Sequence, residues 1–187
     1  GVGKTALVSQ FCYSEFPLEE YEPTAFETVP PKHVMIGDTY YNVEVIDEFF
    51  TGEIDSTPSD SIIRWQREII RRSEVFLILY SITSLSSFEK VTTIHQQIFA
   101  DKDPALCPAI IVGTKFDCYE DREVTAEDGR NLAKTLGCDF IETSSKNDVN
   151  VENAFMIPLT ALVNQSSATQ QSQTKNKRKR RVACTII

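Results

Sequence analysis

The residues whose types and spacing point to chemistry begin with Gly1-Val2-Gly3-Lys4-Thr5, running into Ala6-Leu7-Val8-Ser9-Gln10-Phe11. A Gly-Lys-Thr triplet opening a helix is the second half of a phosphate-binding loop. The glycine lets the backbone approach a phosphate, and Lys4 reaches the β/γ-phosphates as a point charge. The Thr5 hydroxyl is a hard oxygen suited to Mg²⁺. The helix start adds unpaired N–H groups and the positive end of its dipole. The full pattern also calls for a glycine five residues before Gly3, ahead of the first residue of this sequence. Taken alone, the triplet also fits a turn with a solvated lysine.

Two further groups sit much later in the chain. Gly113-Thr114-Lys115-Phe116-Asp117 and Glu142-Thr143-Ser144-Ser145-Lys146 each follow a short apolar run. Asp117 can accept from adjacent ring N–H and exocyclic amine groups of a planar base, while the Lys115 stem lies along a ring face. The second group can bring backbone N–H groups to a carbonyl oxygen. A base with an N1–H, a 2-amino group and a 6-oxo group is guanine. An isolated Lys-x-Asp would be a surface salt bridge; two such groups downstream of Gly-Lys-Thr favour a nucleotide.

These groups need elements to hold them. Residues 5–13 have helical apolar spacing, and 32–36 and 39–46 read as strands joined at Gly37-Asp38, a two-residue hairpin signal. Residues 14–28 and 47–60 read as irregular. Helices are expected over 61–72, 87–101, 125–136 and 149–163, with Thr125 opening a capping box, Gly137 closing that helix and Pro158 kinking the last one. The runs 75–82, 109–113 and 140–143 read as buried strands. The pattern predicts an α/β fold: a three-layer sandwich around a mostly parallel sheet with one antiparallel hairpin. Ligands in such sheets sit at the carboxyl ends of the strands, where the two base-reading groups fall.

Composition bounds the partners. At 41% hydrophobic and 25% charged, 187 residues make ordinary globular material. The net charge of −8 hides an asymmetry: residues 1–174 hold 13 of the 19 Lys/Arg and all 27 Asp/Glu, a net of −14. An acidic body argues against nucleic acid as a partner. The scattered cysteines show no metal or disulfide spacing. His33 and His95 read as surface or packing residues, and Trp65 with Ile62, Ile63, Ile69 and Ile70 as helix packing.

With these motifs in order, the chain resembles a Ras-subfamily small GTPase over nearly its whole length. Tyr21-Glu22-Pro23-Thr24 resembles the first switch, Thr114-Lys115-Phe116-Asp117 the guanine-specificity motif and Glu142-Thr143-Ser144-Ser145-Lys146 the second base-contacting motif. The resemblance implies a P-loop GTPase fold over 1–165, here without its first strand, cycling between GTP and GDP with Mg²⁺. Gly1, Val2, Gly3, Lys4, Thr5 and Ala6 would hold the phosphates. Tyr21 would cover the nucleotide, and Thr114, Lys115, Asp117, Ser144, Ser145 and Lys146 would hold the base. Thr5, Thr24 and Asp47 would meet Mg²⁺, with Lys4 and Thr24 acting on the γ-phosphate. Thr114 stands where the family has Asn and is expected to weaken a supporting hydrogen bond. The resemblance further implies a monomer that meets effectors, an exchange factor and a GTPase-activating protein through its switch loops.

The second switch departs from the family's Asp-x-x-Gly-Gln: the chain has Asp47-Glu48-Phe49-Phe50-Thr51-Gly52-Glu53. No alignment of it supplies the glutamine that orients the attacking water, so hydrolysis is expected to be slow. In the first switch, Ala25 to Pro31 departs from the usual effector sequence. The family's first strand lies ahead of the phosphate loop, so strands 39–46 and 75–82 are expected to flank a gap, as in a fragment of a longer protein. Unpaired backbone groups there would cost about 1–3 kcal/mol each when buried.

Residues 166–181 are Ser/Gln/Thr-rich and then basic, and the segment 166–187 is expected to be a disordered polybasic tail. Cys184-Thr185-Ile186-Ile187 resembles a prenylation box, with Cys184 the lipid acceptor and a geranylgeranyl group favoured. Lipid and basic run together imply anchoring to an anionic membrane, at the cytoplasmic face of the plasma membrane. Two other readings stay open: a GTP-binding, hydrolysis-deficient signalling module, and a different P-loop phosphotransferase.

Overall fold

Seven consecutive buried residues, Val75–Ser81, form the strand β3 around which the other layers assemble. The computed structural model describes residues 1–17, 29–47, 60–100, 102–169 and 180–187. In chain order the elements are α1 (Lys4–Tyr13), β1 (Lys32–Ile36), β2 (Thr39–Asp47), α2 (Asp60–Arg72), β3, α3 (Leu85–Phe99), β4 (Ala109–Thr114), a 3₁₀ turn (Phe116–Asp121), α4 (Ala126–Leu136), β5 (Asp139–Glu142), α5 (Val151–Thr169) and β6 (Arg180–Ile186). The six strands run in the order β1-β2-β6-β3-β4-β5. Only β1 and β2 are antiparallel. They meet at Gly37-Asp38, where Gly37 has φ +59°, a left-handed turn position. The α/β sandwich with one antiparallel hairpin is therefore as the alternation of elements predicts.

Each sheet face carries its own core. On one face α1 and α5 cover Val43, Val45, Leu77, Leu79, Ile110 and Val112. The rings of Phe11 and Phe155 stack there at 3.7 Å with an interplanar angle of 8°. On the other, Phe76, Ile78, Tyr80 and Ile111 pack with Val91 and Ile98 of α3 and Ala133 of α4. α4 begins as its sequence predicts: Thr125 Oγ1 accepts from the Asp128 N–H at 3.1 Å, and Gly137 closes it with φ +69°. α4 also presses close to the sheet at Gly129, where a Cβ would lie 2.4 Å from the Tyr80 hydroxyl and 2.6 Å from the Phe140 ring. α5 continues past Pro158 to Thr169. Among the described residues no helix is long and apolar enough to cross a membrane.

The chain's last segment differs from the tail its sequence predicts. The slot between β2 and β3, expected as a gap, is occupied by β6, parallel to both neighbours. The physical reason is a period-two pattern hidden behind the basic run. Val182, Cys184 and Ile186 face the α1/α5 core, while Thr185 and Ile187 are buried on the other side. The backbone groups of β2 and β3 that a gap would leave bare are paired here. Residues 170–179 lie outside the described residues.

Candidate functional site

The phosphate loop turns into α1 at Gly3, whose φ of +91° is a left-handed conformation that a side chain would strain. The Gly3 carbonyl accepts the first helical bond, from the Leu7 N–H at 3.0 Å. Leu7, Val8 and Phe11 anchor the helix in the core. Lys4, Thr5 and Ala6 are half-buried at its start. Thr5 Oγ1 donates to Asp47 Oδ2 at 2.6 Å, joining the helix start to the last residue of β2. Two hard oxygens side by side suit Mg²⁺, which usually takes one or two protein oxygens with waters and substrate phosphates. Among the described residues no group of three or more His, Cys, Asp or Glu could hold a metal by itself.

The Thr114–Asp117 group is tied to this loop directly. Thr114, at the carboxyl end of β4, places its hydroxyl 2.6 Å from the Val2 carbonyl and 2.9 Å from the Tyr80 carbonyl, sharing one proton between them. Thr114, which stands where the family has Asn, thus bridges the phosphate loop to β4 and β3 through its side chain. Next in the chain, Lys115 has φ +62°, a strain of about 1–2 kcal/mol for an L residue. That turn carries Asp117 to the rim.

Asp117 is oriented from the loop that carries Ser144. Ser144 Oγ donates to Asp117 Oδ1 at 2.6 Å. The Ser144 loop is itself closed by two backbone bonds with Val149. Burial pushes the Asp117 carboxyl up, but hydrogen bonds from Ser144, from its own backbone and from Cys118, with the charge of Lys146, outweigh it and hold it below its usual pKa. Ser145 is buried beside Ser144, and Lys146 is exposed. A carboxyl with a lowered folded pKa stabilises the fold above its unfolded pKa, and that contribution is lost as pH falls through the lowered value. Here the loss falls below about pH 4. Ser144→Ala should therefore move the Asp117 titration upward, followed by NMR of its carboxyl carbon; an unchanged midpoint would contradict this role for Ser144.

One positioning pair was not legible in the sequence. Arg122 makes a two-pronged ion pair with Glu142, at 2.6 and 3.0 Å, and also donates to the Val124 carbonyl at 2.9 Å. It pins the turn after Asp117 to the end of β5, just before Ser144. Tyr21 and Thr24 lie outside the described residues, as do Glu48 to Glu53. Cys184 lies away from these loops and is fully buried in β6. His33 is exposed, and His95 packs against the Phe99 ring at 4.6 Å, as packing residues would. Among the described residues, one surface cleft of about 240 Å³ is bordered by His95, Phe99, Cys107 and Cys138 at the amino ends of β4 and β5, and another of about 290 Å³ adjoins the turn of Asp117, bordered by Phe116, Arg130, Phe140 and Glu142.

Residues 1–164 match the family model described as Ras family. A Ras-like protein of Laccaria bicolor is 39% identical over 155 residues, which span 83% of this chain and 69% of that relative. The matched region takes in the phosphate loop, the Thr114–Asp117 rim and the Ser144 loop together, and with them the chain belongs to the Ras family.

Proposed function

We propose that the chain is a membrane-anchored molecular switch that binds GTP and GDP with Mg²⁺ and hydrolyses GTP slowly. The observation that carries the nucleotide reading is the Thr114 hydroxyl bridging Val2 of the phosphate loop to the strand end that presents Lys115 and Asp117. It makes one rigid unit of a phosphate grip and a base grip. Asp117, kept ionised and aimed by Ser144, accepts from the N1–H and 2-amino group of guanine. The Lys115 stem covers the ring, while Ser145 and Lys146 border its oxo side. Lys4 meets the β/γ-phosphates, and Thr5 with Asp47 faces the metal. Mg²⁺, when bound, neutralises charge on the β- and γ-phosphate oxygens. By family resemblance Tyr21 covers the nucleotide and Thr24 closes on the γ-phosphate. Effectors, an exchange factor and a GTPase-activating protein then act through the two switch loops.

Slow turnover follows from residues 47–53, which hold two phenylalanines and carboxylates but no glutamine. A Glu side chain there sets negative charge against the γ-phosphate and leaves the attacking water unoriented. A hydrolysis-deficient module is the second reading, and the same absence favours it. Anchoring is proposed from the Cys184 box and the basic run, six Lys/Arg between residues 175 and 181. Purified protein should bind a fluorescent GTP and not the matching ATP. Its single-turnover hydrolysis should be roughly tenfold or more slower than that of a glutamine-bearing family member. Binding of ATP equal to GTP would overturn the nucleotide reading, and an ordinary rate would overturn the slow-switch reading.

A further inference from the structure

We infer that the outer edge of β5 is a docking site for an extended peptide segment of a partner protein, which adds a strand to the sheet and sets one carboxylate against Arg130. Neither Phe140 nor Arg130, on which the site turns, takes part in the proposed nucleotide grip.

β5 stands at one end of the strand order and pairs with β4 alone among the described strands. Just beyond it, the Thr143 N–H donates to the Gly113 carbonyl at 2.8 Å, and the Thr143 carbonyl accepts from the Phe116 N–H at 3.0 Å. Both bonds run toward β4 and the turn that follows it. Backbone groups of successive strand residues point to opposite edges, so Ile141 also faces β4 while Phe140 and Glu142 face outward. The outward Glu142 carbonyl is taken by Asn150 Nδ2 at 3.0 Å. That leaves the Phe140 N–H, the Phe140 carbonyl and the Glu142 N–H, three ladder groups that no described segment of the chain meets. Such a row is a template for another strand.

The side chains beside this edge specify the occupant. A cleft of about 290 Å³ lies against it, bordered by Phe140, Ile141 and Glu142 of the strand, by Phe116 and by Arg130 of α4. The Arg130 guanidinium stands over the Phe140 ring at 5.8 Å. It is exposed, and no carboxylate of the described residues pairs with it. The neighbouring guanidinium, Arg122, is by contrast committed to Glu142 through both prongs. A planar guanidinium held beside a strand edge takes a carboxylate by two parallel bonds. Phe116, 41% exposed, offers a ring for an apolar side chain. The exposed Asp139 at the start of β5 opposes a second acid, so the segment carries one carboxylate among β-branched residues. A second copy of this edge fits less well. With Asn150 on the Glu142 carbonyl, two copies exchange only the Phe140 pair of bonds, whereas a separate segment reaches all three groups.

The isotope-labelled full chain is titrated with capped hexapeptides of alternating valine and threonine that carry one aspartate in each possible place, and with the same set carrying asparagine. The Phe140 and Glu142 amide signals should shift saturably with the best aspartate probe. That probe should bind roughly tenfold more tightly than its asparagine counterpart. Arg130→Gln, an exposed change that spares the fold, should erase this difference and leave the asparagine probe's affinity as it was. N-methylating the probe amides along one edge should abolish binding, and along the other edge should leave it intact. No shift of Phe140 and Glu142 at millimolar probe would overturn the proposal, as would shifts confined to β1 at the other side of the sheet. Equal affinity of the aspartate and asparagine probes would remove the carboxylate and its arginine. A concentration-dependent dimer that shifts the same amides without any probe would make a second copy the occupant and overturn the partner segment.

Discussion

Asp117→Asn should lower GTP affinity by a factor of roughly 10² to 10⁴ and shift preference toward xanthosine triphosphate. The carboxylate offers two acceptor oxygens to guanine's N1–H and 2-amino group, and hydrogen bonds to a charged acceptor are worth about 1.5–3 kcal/mol each. Asn replaces one acceptor with an NH₂ that faces guanine's amine, donor against donor. Xanthine carries an oxo group at that position, which the new NH₂ can satisfy. The substitution is nearly isosteric, and the Asn oxygen can still accept from Ser144 Oγ, now 2.6 Å from Asp117. Competition titrations of the two triphosphates check it. Unchanged selectivity would remove the guanine assignment, and with it the role of Lys115 and Ser145 around the base.

Phe155→Ala should destabilise the fold by about 3–5 kcal/mol, a large part of a domain's typical ~5–15 kcal/mol. Phe155 has no exposed surface and lies flat on Phe11. The loss therefore combines transfer, cavity and ring contact. For a chain of this size that corresponds to a fall in Tm of roughly 10 °C. The stack also has a functional position. Phe11 belongs to α1, which starts at the phosphate loop, and Phe155 to α5, which starts just after the Ser144 loop. Cutting it should loosen the spacing between phosphate grip and base grip, so GTP affinity should fall along with Tm. Thermal melts with and without GTP and Mg²⁺ test both parts; a Tm change under about 3 °C would show that the stack does not carry the α1–α5 face.

Asp117 was legible as a rim residue because a side chain directly after a buried strand in an α/β sheet can only emerge at the carboxyl rim. The strands themselves were legible for a local reason. A continuous apolar run such as Val75 to Ile82, or a Gly37-Asp38 turn between alternating segments, states its conformation within a few residues. Thr125 and Gly137 likewise mark the ends of α4 through bonds to their own neighbours.

What escaped the sequence were contacts between distant segments. Arg122 and Glu142 stand twenty residues apart, and nothing in either neighbourhood names the other as partner. Nothing around Thr114 in the sequence names the Val2 and Tyr80 carbonyls as the partners of its hydroxyl. The end of the chain is the largest case. Locally, residues 166–181 are Ser/Gln/Thr-rich and then basic, without apolar periodicity, a composition that favours disorder. Only the assembled sheet supplies two facing strand edges, and their unpaired backbone groups give Val182 to Ile187 a use as β6. Local periodicity thus determined the elements and the rim residues of this Ras-family chain. The partner of each long-range bond, and which segment lies between β2 and β3, were decided by tertiary structure, because a strand is stabilised by the edges it meets and not by its own residues alone.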